Sequence, residues 1–370
     1  MHDGRQRTSA PVAYPLRMER KREASSLSTT RPSTQSIAAP GELALIDTIR
    51  RRALATATPS LRLGIGDDCA LLGLKTGEEI AVTTDLSIEN RHFRLDWHPA
   101  EAVGHRALAR GLSDLAAMGA RPCAAFLSLA LPATLTQAKQ GKKSWADRFF
   151  DGFLALAEEQ ATPLAGGDLA ESPLALADIV LVGAVKKGRA LLRSGARPGD
   201  LIYVTGRLGG SALGLATLEQ STHPTKHARK TAAEAAWETP LGPHLYPQPR
   251  LAQGQLLARR GLATAAMDIS DGLSIDLMRL TAASNVTAEL DADRLPLFPG
   301  ATLEQALDGG EDYELLFTAS ATAKIPAAIA GVAVTQIGRI LPKRKGRPPV
   351  ALCEGKKKKA LEPNGWQHFA

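Results

Sequence analysis

Apolar residues recur at helical spacing over 41–55 (GELALIDTIRRRALA), which predicts an opening helix. Residues 78–85 (EEIAVTTD) then read as a strand. Over 99–118 a proline and an acid precede Val103, Leu108, Leu112 and Leu115 at near-helical intervals, predicting a second helix. The pattern continues with a strand at 123–132, a helix at 145–160 and a strand at 174–188. The apolar run 174–185 is broken by Asp178 and is shorter than the roughly 20 residues of a membrane helix, so it predicts a buried strand. A Pro-Gly-Asp turn at 198–200 opens a second set of elements with the β-rich stretch 197–206. Helices are predicted near 209–218, 250–260 and 272–284, and strands near 286–291, 312–318 and 332–340. The chain is expected to be α/β (α+β), in two domains that meet at about 188–197.

Four segments follow from this pattern. Residues 1–38 lack both apolar periodicity and the apolar core of a secretory signal, and read as a disordered basic extension. Residues 39–190 form the first domain, 191–345 the second, and 346–370 a basic insertion with a C-terminal tail. Segments 217–240 and 341–360 read as surface insertions, and the run Lys356 to Lys359 as a solvated loop.

Charge refines this picture. The net +7 is concentrated at the ends: residues 1–40 carry +4 and residues 339–360 carry +8, which leaves a body of net −5. A mildly acidic body argues against a nucleic-acid groove. Cys69, Cys123 and Cys353 are far apart, with no zinc-like or disulfide-like spacing, and a reducing, cytoplasmic setting is expected.

Small Asp-rich motifs punctuate the pattern: GIGDD at 64–68, TTD at 83–85, LSDLAAMGA at 112–120, GGD at 166–168 and MDISDG at 267–272. Carboxylates suit hard cations, and Mg²⁺ is usually shared between one or two protein carboxylates, water and substrate phosphate oxygens. Each motif also has a local reading. Gly64, Gly66, Asp67 and Asp68 could simply build a turn. TTD could cap a strand end, and Asp114 could cap its helix or pair with Arg110, four residues earlier. Recurrence of the vocabulary at five places favours a metal site. The chain has no Walker loop, no GxGxxG and no HExxH, so phosphates must be bound by a different fold.

The same ordered motifs, with LLRSGARPGD at 191–200, GGEDYELLFT at 309–318 and the terminal GWQHF, resemble the thiamine-monophosphate kinase family over about 41–340 and the last residues. The resemblance implies a two-domain aminoimidazole-ribotide synthetase-like fold whose N-terminal domain pairs its sheet in a homodimer. It implies ATP- and Mg²⁺-dependent phosphorylation of thiamine monophosphate to thiamine diphosphate, without membrane or nucleic-acid partners. Residue by residue, it implies Mg²⁺ binding by Asp68, Thr83, Thr84, Asp85, Asp114, Asp168, Asp268 and Asp271. ATP would meet Gly167, Asp168, Arg193 and Ser270, and thiamine monophosphate would meet His92, Glu311 and Trp366. Leu86 to Arg91 depart from the family, which usually has a small or glycine-containing stretch before this histidine. Trp366 and Phe369 suit either a cation–π contact with the thiazolium or a hydrophobic plug, and His98 and His105 have no partner evident from sequence. A phosphate-monoester acceptor is largely ionised near neutral pH and needs no strong general base. The metal-bound aspartates would instead neutralise charge, with direct in-line transfer of the γ-phosphoryl group. The alternatives are another ATP-dependent synthetase of the same superfamily and a non-catalytic nucleotide-binding protein.

Overall fold

The computed structural model describes residues 42–66, 69–138, 141–221 and 239–366. The first half runs α1 (Glu42–Ala53), β1 (Leu61–Leu63), β2 (Leu71–Leu72), β3 (Glu78–Ile88), α2 (Ala100–Ala117), β4 (Arg121–Leu131), α3 (Ala133–Thr136), α4 (Trp145–Glu159), β5 (Leu164–Glu171) and β6 (Leu176–Lys186). Its main sheet has the order β3-β6-β4-β5, antiparallel except for the parallel pair β4/β5. β6 alternates half-buried and buried residues from Leu176 to Gly183, as a strand covered on one face by helices should.

α4 starts where Ser144 and Asp147 satisfy each other's backbone N–H groups in a capping box. It packs on α2 so closely that glycines are needed at the crossing. A Cβ on Gly104 would lie 1.9 Å from the Phe149 carbonyl oxygen, and one on Gly152 would lie 1.9 Å from that of Glu101. The two helices thus meet backbone to backbone.

The second half contributes β7 (Leu201–Thr205), α5 (Gly210–Glu219), α6 (Gly242–Leu245), α7 (Leu251–Arg260), β8 (Ala265–Asp268), α8 (Leu273–Ser284), β9 (Val286–Asp291), α9 (Leu303–Asp308), β10 (Leu315–Ala319), β11 (Ala328–Ile329), β12 (Val332–Pro342), β13 (Val350–Glu354) and β14 (Lys357–Ala360). The sheet order is β14-β13-β9-β12-β7-β10-β8. One face carries Ile202, Val204, Met267 and Leu316, packed with Leu273, Leu277 and Leu280 of α8. The other carries Tyr203 and Phe317, stacked at 5.2 Å, and joins the same core as α2 and α4. The hydrophobic core is therefore continuous from the first half into the second. That continuity explains why α2 has no exposed face: it is surrounded by α4, the first sheet and the second half.

Two expectations are corrected here. Residues 350–360 are not a loop, because β13 pairs in parallel with β9 and β14 pairs with β13; Lys357, Lys358 and Lys359 are exposed on an edge strand, where lysines discourage further pairing. The strand expected at 312–318 begins only at Leu315, because Glu311 and Tyr313 adopt positive φ of 64° and 51° and break the extended run. β5 and β8 were not anticipated. The proposed insertion at 217–240 lies largely outside the described residues. No described helix is long and apolar enough to cross a membrane.

Candidate active site

α2 places Arg106, Arg110 and Asp114 at successive intervals of four residues, so the three share one helical face. Each has its own partner. Arg106 donates to both carboxylate oxygens of Glu311 at 2.8 Å. Arg110 pairs with Asp85 at 2.9 Å. Asp114 accepts a short hydrogen bond from the Thr83 hydroxyl. The suggested Arg110–Asp114 ion pair is therefore not the salt bridge that forms. Asp114 is also not a cap, since it lies within the last turn of α2 rather than at its end.

The second half supplies the facing wall. Asp268 ends β8 and accepts from the Ser113 hydroxyl at 2.6 Å. The chain then turns through Ser270, Asp271 and Gly272, whose three N–H groups converge on Asp276 Oδ2 at 3.0–3.2 Å. Gly272 has φ 120°, a conformation that side chains rarely adopt. Arg279 holds Asp271 and Asp276 from one side. The turn is thus fixed from behind, with Ser270 and Asp271 presented forward.

A cleft of roughly 670 Å³ runs between these walls. One end is lined by Thr84, Asp85, Asp114, Asp268, Ser270 and Asp271. His92, Trp97, His244, Glu311 and Trp366 line the rest. Burial pushes Asp114 up to about 6, helped by the charge of Asp268, and burial likewise takes Asp268 to about 6. Burial also raises Asp85, although Arg110 opposes it. Among the described residues Asp85 has Arg110 as its ion-pair partner, whereas Asp114 and Asp268 are held by hydroxyls and form no ion pair. Among the described residues no three acidic, histidine or cysteine groups gather as a closed metal cage. Hard oxygen donors lining an open cleft, two of them without an ion-pair partner, do fit Mg²⁺ shared with phosphate oxygens.

The GGEDYEL segment gives each residue a separate task. Burial alone would raise Glu311, but Arg106 overrides it and brings the carboxyl down to about 2. Asp312 accepts from the Gly209 and Ser211 N–H groups at the start of α5, and burial raises it to about 8. Tyr313 is buried beside the cleft. Glu314 forms a buried two-point ion pair with Arg250 and accepts from Thr205 at 2.6 Å.

His92 accepts at Nδ1 from the Ile88 N–H at 3.1 Å, which puts the proton of the neutral ring on Nε2. The departure from family pattern at Leu86–Arg91 is accommodated by extending β3 to Ile88 and turning at Asn90, with φ 63°. Trp366 is held through its backbone N–H to the Asp271 carbonyl at 2.9 Å, with the Arg91 guanidinium 5.5 Å from the ring centroid. His98 and His105 are buried polar contacts: His98 faces His244 at 3.1 Å, and His105 bonds the Pro247 carbonyl at 2.8 Å. Desolvation lowers His98 and His105 to about 4 and His244 further, so these rings are neutral.

Not every expected residue reaches the cleft. Gly167 and Asp168 line a second cavity of roughly 600 Å³, with Ile46, Ile49, Ile65 and Phe126. Gly167 lies in β5 against β4, where a Cβ would sit 1.9 Å from the Leu127 carbonyl oxygen. Arg193 does not line the cleft but acts on Asp114 and Asp268 through its charge. Asp67, Asp68 and Phe369 lie outside the described residues. Sequence reasoning missed Ser113, Arg106 and His244. The four-residue spacing of Arg106, Arg110 and Asp114 was a usable signal for the second; nothing in the sequence links Ser113 to Asp268.

Family models match both halves: AIR synthase related protein, N-terminal domain, over residues 66–185, and its C-terminal domain over 197–350. The thiamine-monophosphate kinase of Salmonella typhimurium is 39% identical over 310 residues, covering 80% of this chain and 87% of that protein. Among solved structures, thiamine-monophosphate kinase from Stenotrophomonas maltophilia gives a TM-score of 0.69 at 37% identity, covering 84% of this chain and 96% of that one. AaThiL complexed with AMPPCP and TMP gives 0.65 at 32% identity, covering 89% and 97%. Shared motifs, paired domain models and similarity along most of both chains lead to one conclusion: this chain belongs to the thiamine-monophosphate kinase family.

Proposed function

We propose that this protein transfers the γ-phosphoryl group of ATP to the phosphate of thiamine monophosphate, giving thiamine diphosphate and ADP. The observation that carries the reading is the cleft itself. It brings together Asp85, Asp114, Asp268 and Asp271, is bordered by His92, Glu311 and Trp366, and belongs to a chain of this family.

Asp85, Asp114, Asp268 and Asp271 of the cleft, with Thr84 and the Thr83 that bonds Asp114, are the residues we assign to Mg²⁺ there; Asp68 and Asp168 are added on the family resemblance alone. Bound there, the ions would offset the repulsion between two polyanions and the charge developing on the transferring group. Ser270 of the cleft is assigned to ATP, as are Arg193, Gly167 and Asp168 outside it on the family resemblance alone, and His92, Glu311 and Trp366 are assigned to the thiamine moiety. The acceptor phosphate is already ionised near neutral pH, so no residue needs to remove a proton. An acceptor of this kind is compatible with direct in-line transfer without a phosphoenzyme, which is the route we propose. We further propose a homodimer formed through the first sheet, supported by the exposed row Ile80, Val82 and Leu86 on β3 (59%, 60% and 44% exposed). The cytoplasm is the proposed place of action.

The test is ADP release from ATP and Mg²⁺ with thiamine monophosphate, free thiamine or an aminoimidazole-pathway substrate offered separately, with products identified by chromatography. Thiamine diphosphate from the monophosphate alone is the expected result. Folded protein that binds ATP and Mg²⁺ but turns over none of them would overturn it.

A further inference from the structure

Arg106 is buried and does not line the cleft, yet it contacts three separate segments that do. It donates to both oxygens of Glu311 at 2.8 Å, to the His92 carbonyl at 3.4 Å, and to the carbonyl of His244, with His244 Nδ1 3.2 Å away. His244 Nδ1 is also 3.1 Å from the Ser211 hydroxyl. One guanidinium from the first half thus ties the loop after β3 to α6 and to the segment before β10. Glu311 is itself held in a left-handed conformation, its N–H donating to the Ser270 carbonyl at 2.7 Å. Such a conformation persists only where surrounding contacts enforce it.

We propose that Arg106 is a positioning residue for recognition of the thiamine ring system: its Nη2, which reaches both Glu311 oxygens and the His92 carbonyl, sets the spacing of these two groups. The inference rests on the function proposed above. A second consequence concerns what Glu311 recognises. Its charge is matched by Arg106, but each carboxylate oxygen has a lone pair beyond the one the guanidinium occupies. Glu311 therefore serves as an acceptor for a ligand N–H, such as the amino group of an aminopyrimidine, rather than as the counter-ion of the thiazolium.

The experiment compares Arg106→Gln, Arg106→Lys, Glu311→Gln and the double variant Arg106→Gln/Glu311→Gln. Calorimetric titration of thiamine monophosphate and separate KM values for the two substrates are the readouts. Truncating one side of a buried charge pair at a binding site characteristically weakens binding by about 30-fold or more. Arg106→Gln should raise KM for thiamine monophosphate by that order and leave KM for ATP within about twofold. Arg106→Lys, which retains the charge but not the second nitrogen that reaches the His244 carbonyl, should fall between wild type and Arg106→Gln. The double variant should bind no worse than the weaker single variant, because the two residues act as one unit. Equal shifts in both KM values, or additive losses in the double variant, would reduce Arg106 to a purely structural role and overturn the proposal. Wild-type protein that fails to bind thiamine monophosphate would overturn both readings, whereas wild-type binding that Arg106→Gln and Arg106→Lys leave unchanged would overturn only this one.

Discussion

Ser113 in α2 donates its hydroxyl to Asp268 at the end of β8 at 2.6 Å, so an acid of the second half is held by a helix of the first. This contact places Asp268 opposite Asp114 in the cleft and leaves both carboxylates desolvated. Burial there works against stability and has to be justified by what the site binds.

Asp268→Asn should therefore separate activity from stability. With its carboxyl raised to about 6, Asp268 is ionised at a cost in the ligand-free protein near neutral pH. Removing the charge should stabilise the fold by roughly 1–3 kcal/mol, one pKa unit being worth about 1.4 kcal/mol. Turnover should fall by at least about a hundredfold, because charge stabilisation of the transferring group is lost. Urea unfolding and ADP release measure the two effects. Asp85→Asn should also abolish turnover, and retained activity in either variant would contradict the assigned site.

Magnesium and protons should compete. Asp114 and Asp268 titrate near 6 when folded, against about 4 for an unfolded aspartate. Between those values the native state holds more protons than the unfolded state, so stability falls as pH rises from about 4 to about 6, and the loss persists above that range. A cation bound by the ionised carboxylates counteracts the loss. The rise in Tm on adding Mg²⁺ should then be larger near pH 7.5 than near pH 5. Equal shifts would argue against these carboxylates as ligands.

Gly104→Ala tests the helix crossing on which α2 depends. The added methyl would fall 1.9 Å from the Phe149 carbonyl oxygen, so α2 and α4 must separate. Overpacking of this kind costs about 1–3 kcal/mol. A lowered urea midpoint together with reduced kcat is expected, since the moved helix carries Arg106, Arg110 and Asp114. An unchanged midpoint would show that the crossing can relax.

Val82→Asp addresses assembly. A charge in the exposed apolar row of β3 should convert a dimer to monomers in light scattering, because a buried unpaired carboxylate is costly at an interface. Wild-type protein that is already monomeric would refute the proposed pairing.

Much of the fold was legible because its periodicities are local. β6 at 176–186 and α8 at 273–284 match their sequence patterns closely, the first as a long alternating strand and the second as an apolar helix ending at Asn285 in a left-handed turn. β5 was hidden by Gly166 and Gly167, which weaken a strand signal, although Gly167 is required by close approach to the β4 backbone. β8 is only four residues long. Within the site, the carboxylates were visible as motifs, but their partners were not. Pairing of Arg110 with Asp85 rather than Asp114 depends on where β3 lies against α2, and the His98–His244 contact joins residues 146 positions apart. Such contacts are products of tertiary packing, which no sequence window contains.

The four-residue spacing on α2 makes this helix a ruler with three marks. Each residue of an α-helix advances the side chain by about 100°, so inserting one residue between Arg106 and Arg110 would rotate one group of charges away from the other while leaving the helix itself intact. Length variation among relatives should therefore accumulate in the connections around this helix and be purged from within it. The same constraint makes α2 a poor place to graft a tag or epitope.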